Sequence, residues 1–524
     1  MSVATRALRL WTAALFLGCG AGAPPPGAQD IGPDLPEVAP VADTAPEVEV
    51  VPVEEVVVED VGAADSDEPD AEVVYWAGGY HPYPPDDLGP IPAPPDTFGP
   101  GFVALGGIDE STPFVVSLGS GEELPTRSTA LFGDLDGDGV SEVVVSGSDE
   151  AYTAVDPNWQ AITSVAYRYD AATDALVVAE DLPLPLGHVL ALLDFDGDGR
   201  DDLMLQGPSG IQWGGDPYTN AMFLDSAGGA HDLDWKGVGL ADLDDDGLVD
   251  LLAQPANCCT IACPELIVVL ASGRRHCTAH PELTATVNHA NVCASLVAPL
   301  GAQRLMISFA AIGSCGGLSH VFYREVERDA EGWPRLEALA AAGDTGTLNL
   351  GLAAPMGGSV GDVDGDGDLD LTVTTDAHHV MFRTEADWPL TDVTTWTGIG
   401  DHGVILPAEP LASDRYMVPW GAAFLDLDRD GRVDVLYSHG ADPNPGGAKE
   451  AVEIGPQHVT AHWNGGGWRF ADVTERVALG LPGDWRGLTV GDLDADGDPD
   501  LGVGGLGEYP QVYRNDIATE GRGL

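Results

Sequence analysis

The sequence contains few basic residues. Only 22 Lys and Arg stand against 85 Asp and Glu, and the formal net charge of the 524 residues is −63. A surface this acidic repels nucleic acid and anionic lipid. We therefore expect neither of them as a partner of the folded part of the chain.

Sequence motifs of common catalytic sites are also scarce. The chain has no G-x-x-x-x-G-K-[ST] phosphate-binding loop and no H-E-x-x-H zinc motif. Its histidines are scattered, and an isolated histidine is more often structural than catalytic. The sequence therefore favours a protein that is not an enzyme.

The N-terminal apolar run is too short to span a membrane. Residues 1–19 combine a basic start with an apolar core and small residues, as in an export signal. The ending LFLGC resembles the lipobox of bacterial lipoproteins. That resemblance implies a lipid on Cys19, membrane attachment through this anchor alone, and a place at the outer membrane or cell surface. Simple cleavage near Ala21 or Ala23 is the alternative.

Residues 20–100 contain no Lys or Arg and are rich in Pro, Val and acidic residues. Proline and like charges oppose a packed sheet, so this range is predicted to be a disordered acidic linker. Such a tether would hold residues 101–524 away from a membrane surface.

Cysteine is rare, and six of the seven cysteines fall within one stretch of the chain. An even number of cysteines in an exported protein predicts disulfides. We expect three bridges among Cys258, Cys259, Cys263, Cys277, Cys293 and Cys315. A zinc site that includes His276, His280 or His289 is the alternative, although the spacing matches no paired C-x-x-C motif.

One nine-residue motif, D-x-D-x-D-G-x-x-D/E, is abundant. It begins at Asp134, Asp194, Asp242, Asp362, Asp426 and Asp492. Calcium takes six to eight oxygen ligands, and acidic residues at alternate positions of a tight loop converge on one point. The glycine at position 6 lets the chain turn back through positive φ. A single copy could be a solvated acidic turn, but six copies in phase favour metal loops.

Positions 1, 3, 5 and 9 of each loop supply the predicted carboxylate ligands, which gives about six calcium sites. Loop by loop, the residues are Asp134, Asp136, Asp138 and Glu142; Asp194, Asp196, Asp198 and Asp202; Asp242, Asp244, Asp246 and Asp250; Asp362, Asp364, Asp366 and Asp370; Asp426, Asp428, Asp430 and Asp434; Asp492, Asp494, Asp496 and Asp500.

Short β-rich runs flank each loop, for example EVVVSG after the first and DLTVTT after the fourth. With these flanks the motif resembles the FG-GAP/VCBS family of calcium-binding repeats, related to the head of integrin alpha subunits. The phrases LTDVTTWTGI at 390 and FADVTERVAL at 470 are similar to cartilage acidic protein. The resemblance implies an all-β fold, a seven-bladed β-propeller over residues 101–524, with bound Ca²⁺.

Loop spacing predicts the number of blades. The interval between Asp242 and Asp362 is about twice the others, and an aromatic strand ending at Arg324 marks a repeat within it. We therefore expect a fourth blade without a metal loop, in a ring of seven four-stranded blades. A segment within residues 101–118 should supply the outer strand of the last blade and cover its open edge.

Residues six or seven positions before each loop should gather at the opposite end of the ring. Several of them are basic or aromatic: Arg127, His188, Trp235, Lys236, Trp420, Trp485 and Arg486. Aromatic faces stack on sugars and cations bind carboxylates, which favours an acidic glycan or acidic peptide as ligand. Asp376, His378, His379 and His439 should lie nearby. Packing of the tryptophans between blades is the alternative.

Together these features favour a monomeric, exported, calcium-stabilised module that binds a glycan or a protein without catalysis. Two alternatives stay open. One is a propeller-based polysaccharide lyase or hydrolase with an axial active site, and the other is a structural subunit of an envelope complex.

Overall fold

The structure, a computed structural model, describes parts of the chain between residues 88 and 517. They are 88–95, 101–108, 115–117, 123–125, 127–148, 164–185, 188–205, 211–214, 219–221, 224–225, 235–242, 247–255, 267–271, 277–279, 291–299, 304–312, 319–327, 346–351, 355–375, 379–384, 390–399, 418–440, 457–506 and 508–517. The predicted export signal, Cys19 and most of the predicted linker lie outside these residues.

Nearly all of the described structure is β-strand. The first strands are Phe102–Ala104 (β1), Val115–Ser117 (β2) and Glu123–Pro125 (β3). β2 and β3 pair with each other as an antiparallel hairpin. β1 pairs with the last strand of the chain, as described below.

Larger sheets follow, which we number in chain order. Sheet 1 contains Arg127–Gly133 (β4), Glu142–Ser148 (β5), Val165–Asp170 (β6) and Ala175–Val178 (β7). Sheet 2 contains Val189–Leu193 (β8), Asp202–Leu205 (β9), Ile211–Trp213 (β10) and Thr219–Ala221 (β11). Sheet 3 contains Leu224–Asp225 (β12), Trp235–Ala241 (β13), Asp250–Pro255 (β14), Ile267–Ala271 (β15) and Cys277–Ala279 (β16). Sheet 4 contains Asn291–Pro299 (β17), Arg304–Ile312 (β18), Ser319–Glu327 (β19) and Gly346–Gly351 (β20).

Sheets 5 to 7 complete the described fold. Sheet 5 contains Pro355–Gly361 (β21), Asp370–Thr375 (β22), His379–Arg383 (β23) and Thr391–Asp392 (β24), and the short helix Thr394–Thr397 (α1) follows it. Sheet 6 contains Val418–Leu425 (β25), Asp434–Gly440 (β26), Thr460–Asn464 (β27) and Phe470–Asp472 (β28). Sheet 7 contains Trp485–Gly491 (β29), Asp500–Gly505 (β30), Gln511–Asn515 (β31) and β1. Among the described residues, no helix is long and apolar enough to cross a membrane.

The arrangement is an all-β propeller, but its sheets are not all alike. Five sheets (1, 2, 4, 5 and 6) are antiparallel meanders of four consecutive strands, which is the blade that the repeat predicts. The prediction of seven such blades is therefore wrong, because five described sheets have this form. Sheet 4 lies in the interval that has no acidic loop, where the sequence predicts a blade marked by Arg324.

Sheets 3 and 7 depart from the meander for different reasons. In sheet 7 the C-terminal part of the chain supplies only three strands, β29 before the loop at Asp492 and β30 and β31 after it. β1 adds the fourth strand, with Phe102 opposite Asn515. The sequence predicts this N-terminal contribution. In sheet 3 the short strand β12 pairs in parallel with β16, which makes five strands. The repeat pattern of the sequence does not predict that extra strand.

The strands that follow the loops at Asp362, Asp426 and Asp492 are buried along their whole length. Every residue of β22, β26 and β30 is buried. Both faces of these strands are therefore covered, so the polar face of DLTVTT, with Thr372 and Thr374, is buried as well as its apolar face.

The core consists of apolar layers between neighbouring sheets. One layer joins sheets 6 and 7 through Leu436, Leu488 and Leu501, and another joins sheets 5 and 6. A third layer joins sheet 7 to sheet 1, with Val512 against Val143. The last sheet therefore packs on the first, which closes the described fold through apolar burial.

The strand β1 should contribute strongly to this closure. Phe102 is buried, its ring meets that of Tyr513 at a centroid distance of 6.4 Å, and its N–H donates to the carbonyl of Val477 at 2.9 Å. We expect Phe102→Ala to lower the free energy of unfolding by about 3 kcal/mol, because a buried aromatic leaves a cavity. Val178→Ala, at a position that is 49% exposed, should change it by less than about 0.5 kcal/mol. Urea unfolding of both variants in calcium buffer measures the difference; equal effects would contradict a closing role for β1.

Candidate metal centre

Each acidic loop joins two adjacent antiparallel strands of one sheet. The loops connect β4 to β5, β8 to β9, β13 to β14, β21 to β22, β25 to β26 and β29 to β30. Because they connect equivalent strands, they lie at equivalent ends of their sheets. Residues 243–246, including Asp244 and Asp246, lie outside the described residues, so five loops are described in full.

Two positions in the loop have a left-handed backbone. The glycine at position 6 has φ between 87° and 94° in all six loops. Position 4 is also left-handed in the five fully described loops, where it is Gly137, Gly197, Gly365, Arg429 and Ala495. Position 6 follows from the sequence motif, whereas position 4 does not, because two of its five residues carry a Cβ that disfavours this conformation.

The carboxylate at position 1 organises the turn. One of its oxygens accepts the N–H of the position-6 glycine in all six loops, at distances from 2.8 to 3.2 Å. In the loops at Asp134 and Asp362, its other oxygen accepts the N–H of position 4 at 2.8 Å. The first acid of the motif therefore holds the two left-handed turns in place.

The carboxylate at position 9 links the loop to the rest of the sheet. In the five fully described loops, one oxygen accepts the N–H of position 2 at 2.6 to 3.0 Å. In four sheets the other oxygen accepts a backbone N–H from the last residue of the third strand or the residue directly after it. Those donors are Gly214, Thr384, Asn464 and Asn515. Their N–H groups, and not their side chains, make the contact, so no residue type in the sequence reveals them.

These loops bring together the acids at positions 1, 3 and 9. In each loop one oxygen of each acid lies within 4.8 Å of the others. The resulting triads are Asp134, Asp136 and Glu142; Asp194, Asp196 and Asp202; Asp362, Asp364 and Asp370; Asp426, Asp428 and Asp434; Asp492, Asp494 and Asp500.

The acid at position 5 lies outside the triads. Its side chain instead accepts the N–H of position 7, as Asp138 does from Val140 at 2.8 Å. Asp198, Asp366, Asp430 and Asp496 make the same contact. The structure therefore groups three of the four predicted ligands of each loop, and the fourth supports the turn.

The triads fit a calcium ion by geometry and by chemistry. Calcium binds oxygen at about 2.3 to 2.6 Å, so oxygens up to about 5 Å apart can share one ion. All three donors are carboxylates, the hard ligands that this cation prefers. In the last loop, Oδ1 of Asp492 is buried and has no hydrogen-bond partner. Burying such an oxygen costs free energy unless a cation binds it or a donor forms a hydrogen bond to it.

Burial makes the position-9 carboxyls hard to ionise when no cation is present. It raises the pKa of Asp202 and Asp370 to about 8 and that of Asp500 to about 7. It also raises the pKa of Asp434 well above its usual value, and that of Glu142. In each case neighbouring acids of the triad push in the same direction, while hydrogen bonds to the carboxylate oppose the rise.

The predicted ligand-binding residues have other roles where their side chains are described. Trp420 and Trp485 are each only 2% exposed, and their N–H groups donate to the carbonyls of Gly440 and Leu481. Arg486 is buried and stacks over Trp420 at 3.7 Å while pairing with Asp484. The two tryptophans pack as core, which is the alternative that the sequence leaves open, and the ligand role of these three residues stays a prediction.

Some of the other predicted ligand-binding residues are buried. The side chains of the rest are not described. His188 is buried, and so are His379 and His439, whose Nε2 atoms lie 3.3 Å apart. The side chains of Arg127, Trp235 and Lys236 are not described, and Asp376 and His378 lie outside the described residues. Cys258, Cys259, Cys263 and Cys315 lie outside as well, so the predicted disulfides stay a prediction, as does the alternative zinc site.

The raised pKa values predict how stability depends on pH. The folded-state pKa of Asp370 lies above its unfolded value of 3.8. The stabilisation by its proton is therefore fully present below about pH 4 and lost as the pH rises to about 8. In EDTA, the free energy of unfolding should fall between about pH 5 and about pH 8, and excess calcium should remove this fall. Urea unfolding across that range tests it, with Asp370→Asn flattening the profile; stability that rises with pH in EDTA would contradict it.

Comparison with known proteins agrees with an FG-GAP-like repeat in the chain. Residues 447–503, which include the loop at Asp492, match the model of the FG-GAP-like repeat family. No curated protein matches the chain.

Three solved structures are similar at low identity. A lectin from Agrocybe aegerita that recognises non-reducing terminal N-acetylglucosamine has 14% sequence identity, with 66% of this chain and 79% of that chain covered and a TM-score of 0.36. A rhamnogalacturonan lyase from Bacillus licheniformis has 14% identity, coverage of 81% and 77%, and a TM-score of 0.28. Drosophila Plexin A in complex with Semaphorin 1b has 9% identity, coverage of 74% and 85%, and a TM-score of 0.29. The described sheets form a β-propeller arrangement, and residues 447–503 of the chain match the FG-GAP-like repeat family.

Proposed function

We propose that this protein is an exported, calcium-stabilised propeller that acts as a non-catalytic binding module for a glycan or a protein. One observation carries the calcium part of the proposal. Five loops in separate sheets form the same triad of carboxylates, each with the same hydrogen bonds to its own loop. Such repetition is expected of a binding site that has the same role in each sheet.

A calcium ion would supply positive charge where each loop concentrates three carboxylates. The ion would be held by the acids at positions 1, 3 and 9. Since in four sheets the position-9 acid also accepts a backbone N–H at the end of the third strand, an ion there would stabilise the loop and the sheet that carries it. Binding would thereby be linked to folding.

The non-catalytic part of the proposal is supported by how the described candidate groups are buried. Gly357 to Gly361 read G-G-S-V-G, the letters of a nucleophile elbow, but they lie inside strand β21 and Ser359 is buried. An elbow would need a sharp turn from strand to helix. His379 and His439 pack against each other, at 4% and 0% exposure, so neither presents an open surface to a substrate.

Calcium should raise the thermal stability of the protein. We expect chelation by EDTA to lower the melting temperature, and elemental analysis to find about six calcium ions per chain. Asp434→Asn should cost about 2 kcal/mol in calcium, because it removes a buried charge and leaves a backbone donor of Leu427 or Asn464 without its acceptor. The matched change Glu475→Gln, at an exposed position, should be neutral. An unchanged melt in EDTA together with no bound calcium would refute the proposal.

Lipid attachment at Cys19 is the second part of the proposal that can be tested directly. A bacterial lipoprotein carries several acyl chains, which together give durable anchoring. Cys19→Ser should therefore move the protein from the membrane fraction to the soluble fraction, or stall its processing. Mass spectrometry of the wild-type N-terminus is the decisive measurement, and an unmodified Cys19 would end the idea.

A further inference from the structure

In four sheets with described side chains at this point, the third strand places an Arg or a Trp opposite position 9. In sheet 1, Val143 pairs with Tyr167, so the next pair in the register is Glu142 with Arg168. The same step puts Arg383 opposite Asp370, Trp463 opposite Asp434, and Arg514 opposite Asp500. We call these four residues the facing residues. Three are cationic and one is a neutral indole.

Arg168 contacts two members of its triad. Its Nε lies 2.9 Å from Oε1 of Glu142, and its Nη2 lies 2.7 Å from Oδ2 of Asp136. Glu142 is buried, whereas the side chain of Arg168 is 31% exposed and also pairs with Asp181 outside the triad. The guanidinium therefore already supplies, within the first loop, part of the positive charge that the triad attracts.

The other two arginines contact their triads progressively less. Arg383 has one triad partner, Asp364, at 3.0 Å, and a weaker approach of 3.8 Å to Asp366 outside the triad. Arg514 approaches its triad acid Asp494 only at 4.0 Å, because its guanidinium pairs with Asp516 at 2.8 Å.

Trp463 donates a hydrogen bond to the position-3 acid of its loop but adds no positive charge there. Its indole N–H donates to Oδ2 of Asp428 at 3.1 Å. The two arginines of the same loop have partners outside its triad: Arg432 pairs with Asp430, and Arg429 pairs with Asp496 and Asp498 of the next loop. In the described contacts of the triad of Asp426, Asp428 and Asp434, the facing residue Trp463 therefore acts as a neutral hydrogen-bond donor.

From this series we propose that the facing residue sets the calcium affinity of its loop, an inference that rests on the proposed calcium binding. Affinity rises as the contact of the facing cation with the triad weakens, in the order of the loops at Asp134, Asp362, Asp492 and Asp426. These four sites are thus graded: the loop at Asp426 fills at the lowest free calcium and the loop at Asp134 fills last.

The physical reason is competition for the same charge. A triad carries three negative charges, and a paired guanidinium cancels one of them before the ion arrives. It also occupies lone pairs that would otherwise face the ion. An indole N–H fixes the position of the carboxylate equally well but leaves its charge intact, so it orders the site without competing.

Calcium binding measured by flow dialysis tests the proposal on four variants and the wild type. Arg168→Gln keeps hydrogen-bond donors but removes the charge, and it should raise the affinity of one weak site about tenfold. Arg476→Gln removes the same charge from a residue whose described contact is the carbonyl of Pro95, and it should leave every site unchanged. In an Asp134→Asn background, which disables the first loop, Arg168→Gln should have no effect.

The outcomes separate this inference from the proposed function. A wild type that binds no calcium would remove the proposed function, and this inference with it. A wild type that binds several ions, with no shift in Arg168→Gln, would overturn the inference alone. The same holds if Arg476→Gln gives an equal shift, or if the shift persists with Asp134→Asn. Should Arg168→Gln fail to fold, Arg383→Gln with and without Asp362→Asn gives the same test at the loop of Asp362.

Discussion

The buried carboxylate at position 9 is the group on which the rest of each fully described acidic loop depends. Asp370 shows the arrangement: one oxygen accepts the N–H of Val363 in the loop at 2.9 Å, and the other accepts the N–H of Thr384 after the third strand at 2.9 Å. A single side chain therefore holds the loop, the second strand and the end of the third strand together. Because the group is buried among other acids, it must carry a proton or face a cation.

This requirement connects the composition to the fold. A net charge of −63 is unfavourable for a compact protein because like charges repel one another. Part of this charge lies in loops whose backbone conformation brings three acids close together. Left-handed turns at positions 4 and 6 point the carboxylates of positions 1, 3 and 9 at one another. The apolar layers between sheets then fix the ends of the strands that carry these loops.

Much of this arrangement could be predicted from the sequence, since the D-x-D-x-D-G motif marks each loop and its β-rich flanks mark the strands. The doubled interval before Asp362 predicts the sheet that lacks a loop, and the open edge of the last blade predicts a strand from residues 101–118, which is β1. Other features leave no signal. The donors at the end of the third strand act through their backbone, so Thr384 and Asn515 need not resemble each other. The spacing of residues along the sequence also cannot distinguish a tryptophan that lines the mouth of the propeller channel from one that packs in the core, as Trp420 and Trp485 do. The extra strand β12 lies in a stretch without a repeat.

The central claim is that an ion occupies the space between the acids at positions 1, 3 and 9. Anomalous diffraction from crystals grown in calcium tests it most directly, because each ion gives its own peak. The account predicts a peak within about 2.3 to 2.6 Å of carboxylate oxygens in every one of the five triads. Triads without peaks, in which the acids instead share protons or pair only with protein donors, would contradict it.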